Sequence, residues 1–255
     1  MSELKKVALV TGGGTGIGKA IAIEFAKAGY DVAVTYVSSD VGALDTVSKI
    51  ENLGQKAAAI KCNLSKMQDI ENLFYEFSKR FDRLDVLVNN AGITKTASFL
   101  DTDEELFDTI CDVDLKGSFF CTQKAAKLMI EKNIEGSVVM ISSNHAGAHF
   151  ADVSVYATIK TALNKLAEHC AVELAKHKIR VNTIAPGWTD TGAARLDDKE
   201  KTFYKIPLCK WATPEEVAKA AVYLSSDAAA SVTGATLVMD NGASLVCDKR
   251  ERYGF

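Results

Sequence analysis

Tyr156 and Lys160 in "VYATIK" stand four positions apart in a stretch of helical period, so one helix face brings a phenol and an ammonium to the same spot. A Lys⁺ held beside a Tyr favours the phenolate and moves its pKa down from about 10 toward the range where a proton is exchanged at neutral pH. That is general acid/base chemistry, although a surface Tyr and a solvated Lys give the same pattern. A second cluster, "TGGGTGIG" at Thr11 to Gly18, follows a short apolar run and opens a helical segment. Glycines let the backbone approach a pyrophosphate, and a helix N-terminus supplies free N–H donors and partial positive charge. The spacing is T-G-x-x-x-G-x-G through Gly12, Gly16 and Gly18, and no G-x-G-x-x-G can be drawn through it. The Lys-Ser/Thr of an NTPase loop is missing, so the turn predicts a dinucleotide site.

Short apolar runs must position these residues. "KVALVTG", "DVAVTYV", "KAAAIKCN", "LDVLVNNAG", "GSVVMISS", "KIRVNTIAPG" and "ATLVMDNG" read as strands. Between them lie helices such as "GIGKAIAIEFAKAG", "VGALDTVSKIENLG", "MQDIENLFYEFSKRF" and "YATIKTALNKLAEHCAVELAKH". Val/Ile/Leu strands alternating with helices predict an α/β fold: a doubly wound parallel sheet of about seven strands, covered by helices on both faces. The ligand site of such a sheet lies beyond the carboxyl ends of its strands. Residues 187–216 carry no clear strand and read as a substrate-side lid of loops and short helices.

Composition narrows the function classes. Hydrophobic residues make up 47% and charged residues 25% of the 255, with a net charge of -3, which gives no electrostatic reason to expect nucleic acid or an anionic membrane surface. The six cysteines, Cys62, Cys111, Cys121, Cys170, Cys209 and Cys247, show no C-x-x-C spacing and no His placed to complete a zinc site, so no metal is expected. They read as reduced, mostly buried residues. No signal-type segment or 18-residue apolar stretch occurs, and the expectation is a cytoplasmic location without membrane attachment.

The chain resembles the classical short-chain dehydrogenases/reductases over essentially its whole length. The resemblance rests on "TGGGTGIG", "NNAG" (89–92), "ISS" (141–143), "YATIK", "APGWTDT" (185–191), "PEEVA" (214–218) and "VTGATLVMDNG" (232–242), in that order. It implies a single-domain Rossmann fold over 1–255 that moves a hydride between a nicotinamide cofactor and a secondary alcohol/ketone pair. Within it Tyr156 is the acid/base, Lys160 holds the nicotinamide ribose hydroxyls and tunes Tyr156, and Ser143, thirteen positions before Tyr156, bonds the substrate oxygen. Neighbouring Ser142 is read as structural. Gly12, Thr15, Gly16, Ile17 and Gly18 cradle the pyrophosphate side, and Asn90, Ala91 and Gly92 pass beneath the cofactor. Asn63 and Leu64 meet the adenine, Asn63 through its acceptor oxygen, while Pro186, Gly187, Thr189 and Thr191 meet the carboxamide.

One position departs from the family. Where "VNLKG" is usual, this chain reads "DVDLKG", placing Asp114 at the fourth catalytic position. Its main-chain carbonyl can still hold a water that links the lysine to solvent, and its carboxylate adds charge near Lys160. At the end of the second strand, "TYVSSD" puts Tyr36 where NAD-preferring members carry an Asp. Thr15, Ser38 and Ser39 can bond a 2′-phosphate, which favours NADP(H), with NAD possible because Asp40 lies close by.

The substrate class is left open among sugars or polyols, 3-oxoacyl compounds and hydroxysteroids. His145 and His149 read either as substrate contacts or, more commonly for loop histidines, as rings satisfied by backbone. Trp188, Trp211, Phe203 and Tyr204 are candidate pocket residues, and "RLDDKEK" (195–201) reads as a solvated helix. The family's usual homotetramer would form through helices around 103–132 and 156–177, with the tail after Gly242 reaching a neighbouring subunit. The competing class is a non-catalytic nucleotide sensor or scaffold on the same fold, for which Asp114 is the hint.

Overall fold

The computed structural model describes residues 5–38, 40–192, 202 and 205–245. All seven expected strands form: β1 (Val7–Val10), β2 (Asp31–Tyr36), β3 (Ala57–Lys61), β4 (Val86–Asn89), β5 (Ser137–Ile141), β6 (Arg180–Pro186) and β7 (Thr236–Met239). They make one parallel sheet in the order β3-β2-β1-β4-β5-β6-β7. The chain winds outward from β1 to β3, then returns to lay β4 beside β1. The reversal opens a crevice at the carboxyl ends of β1 and β4, where "TGGGTGIG" and "NNAG" emerge.

Period-two alternation divides each strand between two cores. Leu9, Leu87, Met140 and Val181 pack on one face with residues of α3 (Met67–Ser78), α5 (Gly117–Glu131) and α6 (Ser154–Leu174). Val10, Val88, Ile141 and Ile184 pack on the other with α1 (Gly16–Lys27), α2 (Val41–Glu51) and α7 (Pro214–Ser225). Large side chains such as Phe25, Phe77, Leu87 and Ile21 are fully buried, each stabilising by about 1.5–3 kcal/mol relative to exposure. This two-sided core is what lets the strand ends hold fixed positions.

Helices cover both faces of the sheet, and at the outer strand β7 Leu237 and Val238 are 39% and 51% exposed. Within the segment 187–216 the helix α7 (Pro214–Ser225) begins. The reason is local: Thr213 Oγ1 accepts from Glu216 N–H (3.2 Å), Glu216 Oε2 accepts from Thr213 N–H (2.8 Å), and Pro214 occupies the first helical turn.

The five described cysteines are unpaired with one another. Burial, with Asp69 adding to it, pushes the Cys62 thiol up to about 12, and burial likewise raises Cys121. Both are packing residues rather than nucleophiles.

Candidate active site

Gly12 and Gly16 have φ of +65° and +52°, a region that L side chains avoid, and the first turn of α1 has no side-chain cap from Thr15. A side chain at Gly18 would run into Gly12 O and Asn90 Nδ2. The turn is tied to its neighbours: Gly12 N–H donates to Thr35 Oγ1 (3.0 Å), and Asn90 Nδ2 donates to Thr11 O (2.9 Å). Thr11 Oγ1 accepts from both Asn90 N–H and Ala91 N–H (3.0 Å each). "NNAG" is therefore a clamp on the glycine turn.

A cleft of about 870 Å³ runs from this turn along the ends of β2 and β3. Gly12, Thr15, Tyr36, Ser38, Asn63, Leu64 and Ala91 line it, as do Ile93 and Lys95, which sequence reading missed. Open space, a backbone cradle that Cβ atoms would fill, and uncapped helix N–H groups fit a dinucleotide with its pyrophosphate at α1. Ile17 and Gly18 lie within α1 itself. Thr191 stands against Gly16, since a methyl there would come 3.3 Å from Thr191 Cγ2. Ser39 lies outside the described residues. Asn63 lines the cleft, but its acceptor oxygen is not free. Oδ1 takes Ser65 N–H (3.1 Å) and Ser65 Oγ–H (2.9 Å) in a local turn, an engagement typical of Asn that spacing alone does not reveal.

We expect Gly18→Ala to lower stability by about 1–3 kcal/mol, because backbone must shift to admit the methyl. A urea midpoint equal to wild type would contradict this close approach.

Where β4, β5 and α6 meet, Lys160 is 4% exposed and Asp114 fully buried. Lys160 Nζ lies 3.0 Å from Asp114 Oδ2, an ion pair without hydrogen-bond alignment at that oxygen, and donates to Ile141 O at 3.4 Å. Asp114 Oδ1 accepts from Ile93 N–H (2.9 Å). Asp114 sits in a six-residue π-helical segment, Cys111–Lys116, between α4 (Glu104–Ile110) and α5. Such widened turns concentrate at functional sites, and no sequence pattern announced this one. Gly92 lies directly over the pair: a methyl there would stand 2.8 Å from Asp114 Oδ2 and 3.1 Å from Lys160 Nζ.

Lys160 Nζ is 5.3 Å from the Tyr156 ring centroid, one helical turn earlier on α6. Ser142 Oγ donates to Lys160 O (2.8 Å), whereas Ser143 Oγ faces His145, whose Nδ1 is 3.0 Å away. Among the histidines, the backbone-satisfied reading is overturned for His145. Its ring nitrogen meets a side-chain hydroxyl, because the 3₁₀ turn Asn144–Ala146 folds the ring back over Ser143. The ring stacks on Phe150 (4.2 Å) and meets Tyr156 edge-on (5.5 Å), and Phe150 meets Trp188 at 5.6 Å. Burial lowers the His145 pKa, favouring the neutral ring. His149 is exposed.

Pro186 closes β6 beside Met239, and Gly187 N–H donates to Met239 O (3.0 Å). Thr189 Oγ1 donates to Gly187 O (3.0 Å). Ala212 N–H donates to Trp188 O and its carbonyl accepts from Asp190 N–H, both at 2.8 Å, so the two ends of the expected lid are pinned together. Trp211 Nε1 donates to Thr202 Oγ1 (2.7 Å). Phe203, Tyr204, residues 195–201 and the tail beyond Leu245 lie outside the described residues.

A family profile described as enoyl-(acyl carrier protein) reductase matches residues 12–244. The chain is 38% identical to L-rhamnose 1-dehydrogenase (NAD(P)(+)) of Sphingomonas sp. (strain SKA58), covering 93% of this chain and 95% of that one. It is 35% identical to a 3-oxoacyl-[acyl-carrier-protein] reductase of Staphylococcus aureus, over 94% and 98%. The crystal structure of acetoin dehydrogenase from Enterobacter cloacae superposes with a TM-score of 0.89 at 36% identity, over 96% of this chain and 97% of that one. The chain belongs to the classical short-chain dehydrogenase/reductase family. It is an NAD(P)-dependent oxidoreductase acting on CH–OH groups. Among the described residues, no helix is long and apolar enough to cross a membrane.

Proposed function

We propose that this chain interconverts a secondary alcohol and its ketone with NADP(H), and that Ser143, Tyr156, Lys160 and Asp114 carry the chemistry. The observation behind this is the buried Asp114–Lys160 pair set beneath Tyr156, at the strand ends beside the cleft. The nicotinamide, when bound, gives or takes the hydride. Tyr156 Oη gives a proton to the substrate oxygen in reduction and takes one back in oxidation. Ser143 Oγ bonds the same oxygen, a reading supported by Ser142 being committed to Lys160 O. Lys160, close to the ring, favours negative charge developing on the phenolate oxygen. Asp114 holds the ammonium in place and leaves its remaining donor capacity for the ribose hydroxyls.

Gly12, Thr15, Gly16, Ile17 and Gly18 would hold the pyrophosphate side, and Pro186, Gly187, Thr189 and Thr191 the carboxamide. Tyr36, Val37 and Ser38 line the cleft at the end of β2, and Asp40 is exposed without a side-chain bond to α2. A carboxylate that would repel a 2′-phosphate is thus absent from that part of the lining among the described residues, which supports NADP(H). Measured kcat/KM is expected to favour NADPH, and a preference for NADH of about tenfold would contradict this.

The wall of His145, Phe150 and Trp188 suits a substrate with an apolar face beside its carbonyl. Sugars or polyols, 3-oxoacyl thioesters and hydroxysteroids remain the classes to assay, with residues 187–216 as the lid that chooses among them. The exposed Phe107, Phe119 and Val172 on α4, α5 and α6, together with open β7, support a homotetramer. Free thiols at five positions accord with a cytoplasmic location.

A further inference from the structure

The hydroxyl assigned above to the substrate oxygen does not stand alone. Ser143 caps the 3₁₀ turn Asn144–Ala146, and its Oγ accepts from His145 N–H at 3.2 Å. The ring of the same residue returns to it, Nδ1 lying 3.0 Å from Oγ. That ring is held on two further sides, stacked on Phe150 with an interplanar angle of 28° and edge-on to Tyr156 at 83°. Both contacts favour the position in which the ring faces Ser143.

A serine oxygen offers two lone pairs and one proton. His145 N–H takes one lone pair. If Nδ1 carries the ring proton, it takes the second, and the only capacity left to Ser143 is to donate O–H outward. If Nε2 carries it instead, Ser143 must donate to Nδ1, and its free lone pair can only accept. A ketone oxygen needs a donor, so the first tautomer is the one prepared for reduction. We propose that His145 is a positioning residue that, through Nδ1–H, fixes Ser143 as a hydrogen-bond donor to the substrate carbonyl. The inference rests on the proposed role of Ser143 and deepens it: the residue two positions beyond sets the direction of that hydrogen bond.

Two measurements test it. Nitrogen-15 NMR of the histidine rings, with His145 assigned by its loss in His145→Phe, reads the tautomer directly in the protein without substrate. We expect Nδ1 to be protonated, and Ser143→Ala to shift the ring toward the Nε2–H form. An Nε2–H ring in the wild type, or ring resonances indifferent to Ser143→Ala, overturns the inference whether or not a substrate is in hand. Absence of turnover by the wild type would contradict the proposed function instead.

In steady-state reduction, His145→Phe keeps the stacking ring but loses the donor, and kcat is expected to fall about 10- to 100-fold with little change in KM. His145→Asn places an amide N–H where Nδ1 was and should recover most of the loss. In a Ser143→Ala background, His145→Phe should cost nothing further, as residues acting through one another are non-additive. Equal losses for the Phe and Asn variants, or an undiminished His145→Phe effect without Ser143, would show that the ring only packs.

Discussion

Tyr156→Phe is expected to lower kcat in both directions by about 10²–10⁴-fold, the range a positioned proton donor contributes. The substitution removes one oxygen and keeps the ring that meets His145 edge-on and lies near Lys160. The fold and the nucleotide cleft should therefore survive, and thermal unfolding and fluorescence titration with NADPH should report a protein close to wild type. Loss of turnover with retained nucleotide binding separates a proton-handling role from a packing role. A variant that kept wild-type kcat would leave the substrate oxygen without its assigned acid, since Ser143 Oγ is only a hydrogen-bond partner in this account.

The second large effect concerns Asp114. Removing one member of a buried ion pair leaves the other charge uncompensated, and such changes cost about 3–5 kcal/mol. Asp114→Ala should accordingly lower the urea midpoint sharply, because Lys160 would keep only the long bond to Ile141 O and Ile93 N–H would lose its acceptor. Asp114→Asn restores the side chain usual in the family and keeps an oxygen for Ile93 N–H. We expect it to be intermediate in stability and to retain activity, with Lys160 less firmly held. Equal stability of the wild type and Asp114→Ala would show that the pair contributes nothing to the fold. An unchanged rate and pH profile in Asp114→Asn would show the charge to be incidental to catalysis.

Why the sequence reveals some of this and not the rest follows from the range of each interaction. All seven strands were legible because buried parallel strands need continuous apolar runs, and Val, Ile and Leu supply them between turn residues. The Tyr156–Lys160 pair was legible because helical period alone places both on one face, and the structure sets them there on α6. The glycine turn was legible from its position between a strand and a helix. What stayed hidden depends on contacts between distant segments. Asp114 reaches Lys160 through a π-helical turn that residue types do not specify. His145 reaches Ser143 through a short 3₁₀ turn, and its loop position suggested an ordinary backbone contact. Asn63 spends its acceptor oxygen on Ser65, a local turn that "CNLS" permits but does not declare. β7 reads as a buried strand by composition, although its exposure depends on what lies beyond the sheet edge.

The role of Asp114 also links the two readings of the chain. A carboxylate where the family usually has an amide was the one feature favouring a nucleotide sensor or scaffold. The geometry gives that carboxylate a partner, since it pairs with the lysine beside Tyr156. A sensor would need the cleft and the glycine turn but would not need Ser143, Tyr156 and Lys160 gathered beyond the strand ends.

The most direct test is the absorbance of reduced nicotinamide followed with wild-type protein, in both directions, across sugars, hydroxysteroids, 3-oxoacyl thioesters and small diketones. We expect turnover of at least one alcohol/ketone pair, faster with NADP(H) than with NAD(H) and abolished by Tyr156→Phe. Saturable NADPH binding with no oxidation or reduction across the panel would contradict it and leave a nucleotide-binding protein without catalysis.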